Sequence, residues 1–68
     1  MSRPEDLLSL ERAGEAMIRA RLPHGESEHE LAEAVARWLV AAHQWNVGRA
    51  FLWSIAAVRR VRLEREAA

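Results

Sequence analysis

Residues 38–58 of the chain read WLVAAHQWNVGRAFLWSIAAV. This stretch contains all three tryptophans and the single phenylalanine of the 68-residue chain, and Arg49 is its only formally charged residue. Tryptophan and phenylalanine side chains bury more apolar area than most others and dominate the energetics of cores. We therefore expect the hydrophobic core to form around this stretch.

Local signals on both sides of the stretch predict an all-α chain. Ser2 is followed by Glu5, and Ser27 by Glu30, at the spacing of a capping box, which starts a helix. Pro23-His24-Gly25 ends the first helix, because proline disfavours helical geometry in the preceding residue and glycine permits a tight turn. A short loop of this kind joins antiparallel neighbours. The predicted helices cover residues 4–22, 28–44 and 47–65.

The boundary between the second and third helices has the weakest signal. Asn46 is a good N-cap, and Gly48 follows it closely. We expect a break here, and a continuous kinked helix over residues 28–66 is the alternative.

The first helix has one broad apolar face at 100° per residue. Its members are Leu7, Leu10, Gly14, Met17, Ile18 and Leu22. A glycine in the middle of a helix costs about 1 kcal/mol relative to alanine. Gly14 therefore indicates either the close approach of another helix or a tolerated imperfection.

The second helix has an inward and an outward stripe. The predicted inward residues are Leu31, Ala34, Val35, Trp38, Leu39, Ala41 and Ala42. The predicted outward residues are Glu33, Ala36, Arg37, Val40, His43 and Gln44. Glu33 and Arg37 are spaced to form an i,i+4 ion pair.

The third helix is apolar on nearly every side, which is typical of a buried helix. Two other helices in so short a chain cannot cover all of it, and C2 homodimers are the commonest soluble oligomers. We therefore predict a homodimer, either intertwined or side by side. The predicted dimer interface comprises Phe51, Leu52, Ile55, Val58, Leu10 and Met17.

The formal net charge is zero, but the two halves differ in sign. Residues 1–33 hold eight acids and four arginines, and residues 34–68 hold six arginines and two acids. Halves of opposite charge attract each other in an antiparallel arrangement, either within one chain or between two chains. The chain has no cysteine, which excludes disulfides and thiolate zinc sites and fits a reducing compartment such as the cytoplasm.

The first residues are acidic and precede no apolar run, so we do not expect a signal peptide. Residues 38–58 are long enough to cross a bilayer. Such a span would place polar groups near its centre: His43, Gln44, Asn46 and Arg49. Arginine alone costs about 2.5–3.5 kcal/mol there, so we do not expect a membrane partner.

No catalytic constellation stands out. The three histidines are not paired at i,i+3 or i,i+4, and no carboxylate lies inside the apolar stretch, where burial would shift its pKa. Ser54 lies inside the third helix, where its hydroxyl can bond back to the chain. The chain is predicted to be no enzyme, to bind no metal or small-molecule substrate, and to need no cofactor.

Protein binding is the predicted function, because tryptophan and arginine are enriched at binding hot spots. The predicted partner-binding surface comprises Arg37, Val40, His43, Gln44, Trp45, Arg49 and Trp53. In size, helicity and composition the chain resembles small accessory proteins of GC-rich bacteria and their phages. The resemblance implies a regulator that inhibits a host protein, such as a transcriptional regulator or an ATPase, and it carries over no residue.

The alternative is a small dimeric DNA-binding protein with a helix-turn-helix outline. Its phosphate contacts would come from Arg49, Arg59, Arg60, Arg62 and Arg65. Against it, the third helix opens with mostly apolar residues where a recognition helix carries polar side chains that read bases.

Overall fold

Residues 4–67 form three α-helices. The computed structural model describes residues 4–67, with side chains from residue 7 onward. The helices are α1 (Pro4–Arg21), α2 (Glu28–His43) and α3 (Val47–Ala67), and a short 3-10 turn, Leu22–His24, follows α1. These bounds lie within two residues of those expected, and the all-α prediction is confirmed.

The turn between α1 and α2 follows the sequence signals. Gly25 adopts φ +84°, a left-handed conformation that glycine takes without a steric penalty. The Ser27 hydroxyl accepts a hydrogen bond from the Glu30 backbone N–H at 3.1 Å, which caps α2. The other capping box begins at Ser2, which lies outside the described residues.

The break between α2 and α3 is confirmed, and it excludes one continuous helix. Asn46 caps α3 as expected, because its Oδ1 accepts a hydrogen bond from the Arg49 backbone N–H at 3.2 Å. Gln44 ends α2 in the left-handed region, with φ +59°. The backbone N–H of Gln44 donates a hydrogen bond to the Val40 carbonyl at 3.1 Å. This bond satisfies one of the carbonyl groups at the C-terminal end of α2.

The contact between α2 and α3 combines small and large buried side chains. The buried face of α3 consists of Ala50, Ser54, Ala57, Val58 and Val61. The buried face of α2 consists of Leu31, Ala32, Val35, Ala36 and Leu39. Ile18 of α1 completes this core. The small side chains of this core lie beside fully buried larger ones, among them Leu31, Leu39 and Val58.

This packing corrects two predicted faces. Ala36 was expected on the outward stripe of α2 but is 5% exposed, whereas Ala41 and Ala42 were expected inward and are exposed. The buried face of α2 is therefore rotated toward Ala32 and Ala36.

The predicted dimer interface also needs a correction. Val58 is completely buried inside its own chain and has no surface to offer a second copy. Leu10 and Met17 are partly buried against the same core. Leu52, in contrast, is 72% exposed. The helix that was expected to be apolar all round therefore keeps a large part of its surface uncovered.

The opposite charges of the two halves meet within one chain. Glu15 of α1 accepts from Arg60 of α3 at 2.5 Å, and Glu28 at the start of α2 pairs with Arg62. A third ion pair joins Arg19 to Glu64 at 3.0 Å. The hydrogen bond to Glu64 raises the pKa of the Arg19 guanidinium above its ordinary value. These pairs connect the C-terminal half of α3 to the other two helices.

Candidate protein-binding site

Aromatic side chains gather where α2 turns into α3. The imidazole of His43 lies edge-on to Trp38, with ring centroids 4.9 Å apart. Trp45 lies edge-on to Trp53 at 6.1 Å. The Arg49 guanidinium lies 4.4 Å from the Trp45 ring centroid, in cation–π geometry. Three indoles, an imidazole and a guanidinium thus lie together around the α2–α3 turn.

Trp53 connects this cluster to α1. Its indole Nε1 donates a hydrogen bond to the Glu11 carboxylate at 3.0 Å. The far edge of the ring lies on Gly14, where a Cβ atom would come within 2.8 Å of the indole. Gly14 is therefore explained by a close approach, as one of the two predictions held. The group that approaches it is the Trp53 side chain of α3 rather than the backbone of another helix.

An open groove runs between α1 and the end of α2, with a volume of about 420 Å³. We call it the tryptophan groove. One wall is mainly aliphatic and comes from α1, and the other is aromatic and comes from the α2–α3 turn. The groove is lined by Leu7, Ser9, Leu10, Ala13, Trp38, His43 and Trp45.

A second groove of about 390 Å³ lies on the other side of the α2–α3 turn. We call it the valine groove, because Val40 and Val47 stand on its two walls. Arg37 stands at its edge, where the predicted pair with Glu33 is confirmed at 2.6 Å. The whole lining comprises Glu33, Ala36, Arg37, Val40, Ala41, Val47 and Phe51.

The seven residues of the predicted partner-binding surface do not form one patch. His43 and Trp45 line the tryptophan groove, with Arg49 stacked beside them. Arg37 and Val40 line the valine groove. Gln44 is exposed in the turn between the two grooves, and Trp53 is half-buried against α1.

Sequence reasoning missed the wall that α1 contributes. Leu7 and Leu10 were assigned to the broad apolar face of α1, Leu10 also to the dimer interface, and Trp38 to the inward face of α2. In the structure all three line the tryptophan groove. The usable signal was the length of this apolar face, which continues toward the N-terminus beyond Gly14 and Ile18, its two fully buried members.

The arginines proposed for nucleic acid are interleaved with carboxylates. Arg60 bonds to Glu15 at 2.5 Å, and Arg62 pairs with Glu28. Arg49 lies on Trp45. Arg59 and Arg65 are exposed, on different parts of α3. The five cations therefore present no continuous basic stripe of the kind that follows a phosphate backbone.

Two further findings concern metal binding and membrane crossing in the described part of the chain. Within residues 7–67, no cluster of three or more histidine or carboxylate side chains has the geometry to hold a metal ion. In the same part of the chain, no helix combines the length and apolar character needed to cross a membrane.

Comparison with known proteins gives no relative: no family model, curated protein or solved structure matches this chain. The site is therefore interpreted from its own geometry.

Proposed function

We propose that this protein is a small non-catalytic regulator that binds another protein through the tryptophan groove and inhibits it. The observation that supports the proposal best is the constellation of Trp38, His43, Trp45 and Arg49 at the rim of an open groove. Tryptophan and arginine are the residues most enriched at binding hot spots, which favour rigid rings surrounded by apolar surface.

The shape of the groove indicates the form of the bound segment. Its aliphatic wall comes from α1, and its aromatic wall comes from Trp38 and His43 of α2 and from Trp45 in the loop that follows. A groove between helices suits an amphipathic helix of the partner, which inserts apolar side chains at i, i+3 or i+4, and i+7. His43 and Arg49 lie at the rim, where they can bond to polar groups flanking those anchors.

Inhibition follows if the bound segment belongs to a functional surface of the partner. A helix held in the groove is no longer accessible to the partner's own subunit or ligand. Targets of this kind include a transcriptional regulator whose dimerisation helix is captured or an ATPase whose docking helix is covered. The proposal places the protein in the cytoplasm of a bacterium or a phage-infected cell.

A homodimer is part of the same proposal, because α3 leaves large apolar side chains uncovered. Leu52 is 72% exposed and Leu63 is 57% exposed. Both lie on the side of α3 that faces away from α1 and α2, so a second copy can cover them without displacing the core.

Affinity capture with matched variants tests the partner site. The immobilised protein is incubated with a lysate of its source cell, and bound proteins are quantified by mass spectrometry. Trp45→Ala should lower the affinity for the specific partner by about 30-fold or more, the scale of a hot-spot truncation. Arg49→Ala should also weaken capture, while Arg65→Ala, an arginine at the far end of α3, should not.

Circular dichroism of each variant separates lost binding from lost folding. If a folded Trp45→Ala and Arg49→Ala both capture the same partner as well as the original protein does, the tryptophan groove is not the site. A Leu52→Glu variant that still captures the partner would show that the groove works without the homodimer.

A further inference from the structure

The outward side of α3 carries a heptad pattern. Six positions separated by 3, 4, 3, 4 and 3 residues are all exposed in the structure. They are Arg49, Leu52, Ala56, Arg59, Leu63 and Glu66. This spacing matches the a and d positions of a coiled coil, which keep one seam facing a partner helix. We call these six residues the α3 seam.

The α3 seam lies opposite the core. At 100° per residue, its positions centre about 175° away from the buried face formed by Ala50, Ser54, Ala57, Val58 and Val61. It extends about 25 Å at 1.5 Å per residue. The folded chain therefore presents a straight, accessible heptad stripe that neither α1 nor α2 covers.

We propose that two copies of the protein pair through this seam with their α3 helices antiparallel. The proposal deepens the homodimer of the proposed function; it shares Arg49 with the rim of the tryptophan groove, whereas Leu52 and Leu63 do not line that groove. In an antiparallel coiled coil, each a position shares a layer with a d position of the other chain. Here the two-fold axis crosses the seam at the level between residues 57 and 58 along α3. In this register, Leu52 of one chain shares a layer with Leu63 of the other.

Self-complementarity in this register identifies the second copy as the occupant. The two leucine layers bury Leu52 and Leu63, two of the exposed large apolar side chains of α3. In the two central layers, Arg59 of one chain packs against Ala56 of the other. The small alanine side chain leaves room for the aliphatic part of the arginine. In the end layers Arg49 of each chain meets Glu66 of the other, so opposite charges close both ends of the seam.

A parallel arrangement of the same helices lacks this complementarity. It places Arg49 against Arg49 and Glu66 against Glu66, and like charges in one layer destabilise a coiled coil. The contacts that Arg49 and Glu66 make within the chain are both on the surface: Arg49 stacks on Trp45, and Glu66 lies 3.8 Å from Arg62. Both side chains can therefore reach the second copy.

The dimer should be weak. A seam built from one pair of helices belongs to the small interfaces, below about 1,200 Å², which are usually transient. We expect a dissociation constant of about 10–100 µM, which sedimentation equilibrium measures directly on the full chain.

Leu52→Glu tests the seam, with Leu8→Glu as its matched control. Leu8 is 49% exposed but lies on α1, away from the seam. The original protein and Leu8→Glu should both show dimers between about 10 and 500 µM, whereas Leu52→Glu should remain monomeric and keep its helical circular dichroism. A monomer at every concentration for the original protein, or a dimer for folded Leu52→Glu, overturns the proposal.

A charge exchange tests the antiparallel register. Arg49→Glu or Glu66→Arg alone creates two like-charge end layers and should raise the dissociation constant by about 3- to 10-fold at low salt. The double variant, Arg49→Glu with Glu66→Arg, restores opposite charges only if the helices are antiparallel. Recovery of the original dissociation constant supports the register, and a double variant weaker than either single variant overturns it.

Discussion

Replacing Gly14 with alanine should destabilise the protein, although alanine is the better helix former. Alanine gains about 1 kcal/mol in intrinsic propensity at a mid-helix glycine. The new Cβ atom, however, would lie 2.8 and 2.9 Å from two carbons of the Trp53 ring. Relieving such an overlap in a packed site costs about 1–3 kcal/mol. The ring cannot turn away freely, because its Nε1 donates to Glu11 at 3.0 Å.

Moving the ring also weakens that hydrogen bond, and bonds to charged groups contribute about 1.5–3 kcal/mol. We expect a net loss of about 1–3 kcal/mol, which lowers the melting temperature by about 5–20 °C in a domain of this size. Thermal unfolding followed by circular dichroism measures this shift.

A double-mutant cycle isolates the cause of the loss. Trp53→Leu removes the ring, so Gly14→Ala in that background should stabilise α1 by up to about 1 kcal/mol, the propensity gain alone. If Gly14→Ala stabilises the original protein, or is equally harmful without the indole, contact with Trp53 is not the reason for the glycine.

Three further predictions follow from single features. Ser54→Ala should raise the free energy of unfolding by about 1 kcal/mol in urea titration, because the buried Ser54 hydroxyl has no hydrogen-bond partner; a loss of stability would show that the hydroxyl is bonded. Gln44→Gly should add about 0.5–1 kcal/mol by removing left-handed strain, measured in the same titration, and a lower midpoint would contradict that reading. A labelled random DNA duplex in about 20 mM salt should show no change in fluorescence anisotropy with the protein, because Arg60 and Arg62 pair with carboxylates. Salt-sensitive binding would instead restore the DNA-binding alternative.

The helices were predictable because their boundaries depend on local chemistry. Ser27 and Asn46 each cap the helix that follows them, and Gly25 takes the left-handed conformation expected after the proline turn. Such signals act over a few residues, so they survive without knowledge of the tertiary structure. The exception is Gln44, which adopts a positive φ that its residue type does not favour.

The faces of α3 were harder to predict, because side-chain size and burial do not run in parallel here. Phe51 and Ile55 are large but only partly buried, while Ala50, Ser54 and Ala57 are small and fully buried. The close packing of α2 on α3 selects the small residues, and this preference depends on the partner helix rather than on α3 alone. The Ser54 hydroxyl could have bonded back to the chain, but it has no hydrogen-bond partner in the structure.

The candidate site was predicted only in part for a related reason. Residues near the α2–α3 turn are close in sequence, and the sequence does not say on which side of the turn each lies. The packing of α1 separates Arg37 and Val40 from His43 and Trp45. It also brings Leu7 and Leu10 to the indoles across more than 25 positions of the chain.

The attachment of α1 through Trp53 has a consequence for any molecule that occupies the tryptophan groove. Half of the groove wall belongs to α1, which packs less extensively on the rest of the protein than α2 and α3 pack on each other. If α1 detaches locally from α2 and α3, the groove therefore loses this wall while α2 and α3 remain packed on each other. A partner binds only the molecules in which α1 is packed against α2 and α3, and it shifts the equilibrium toward them by mass action. Partner binding should therefore slow amide hydrogen exchange throughout α1.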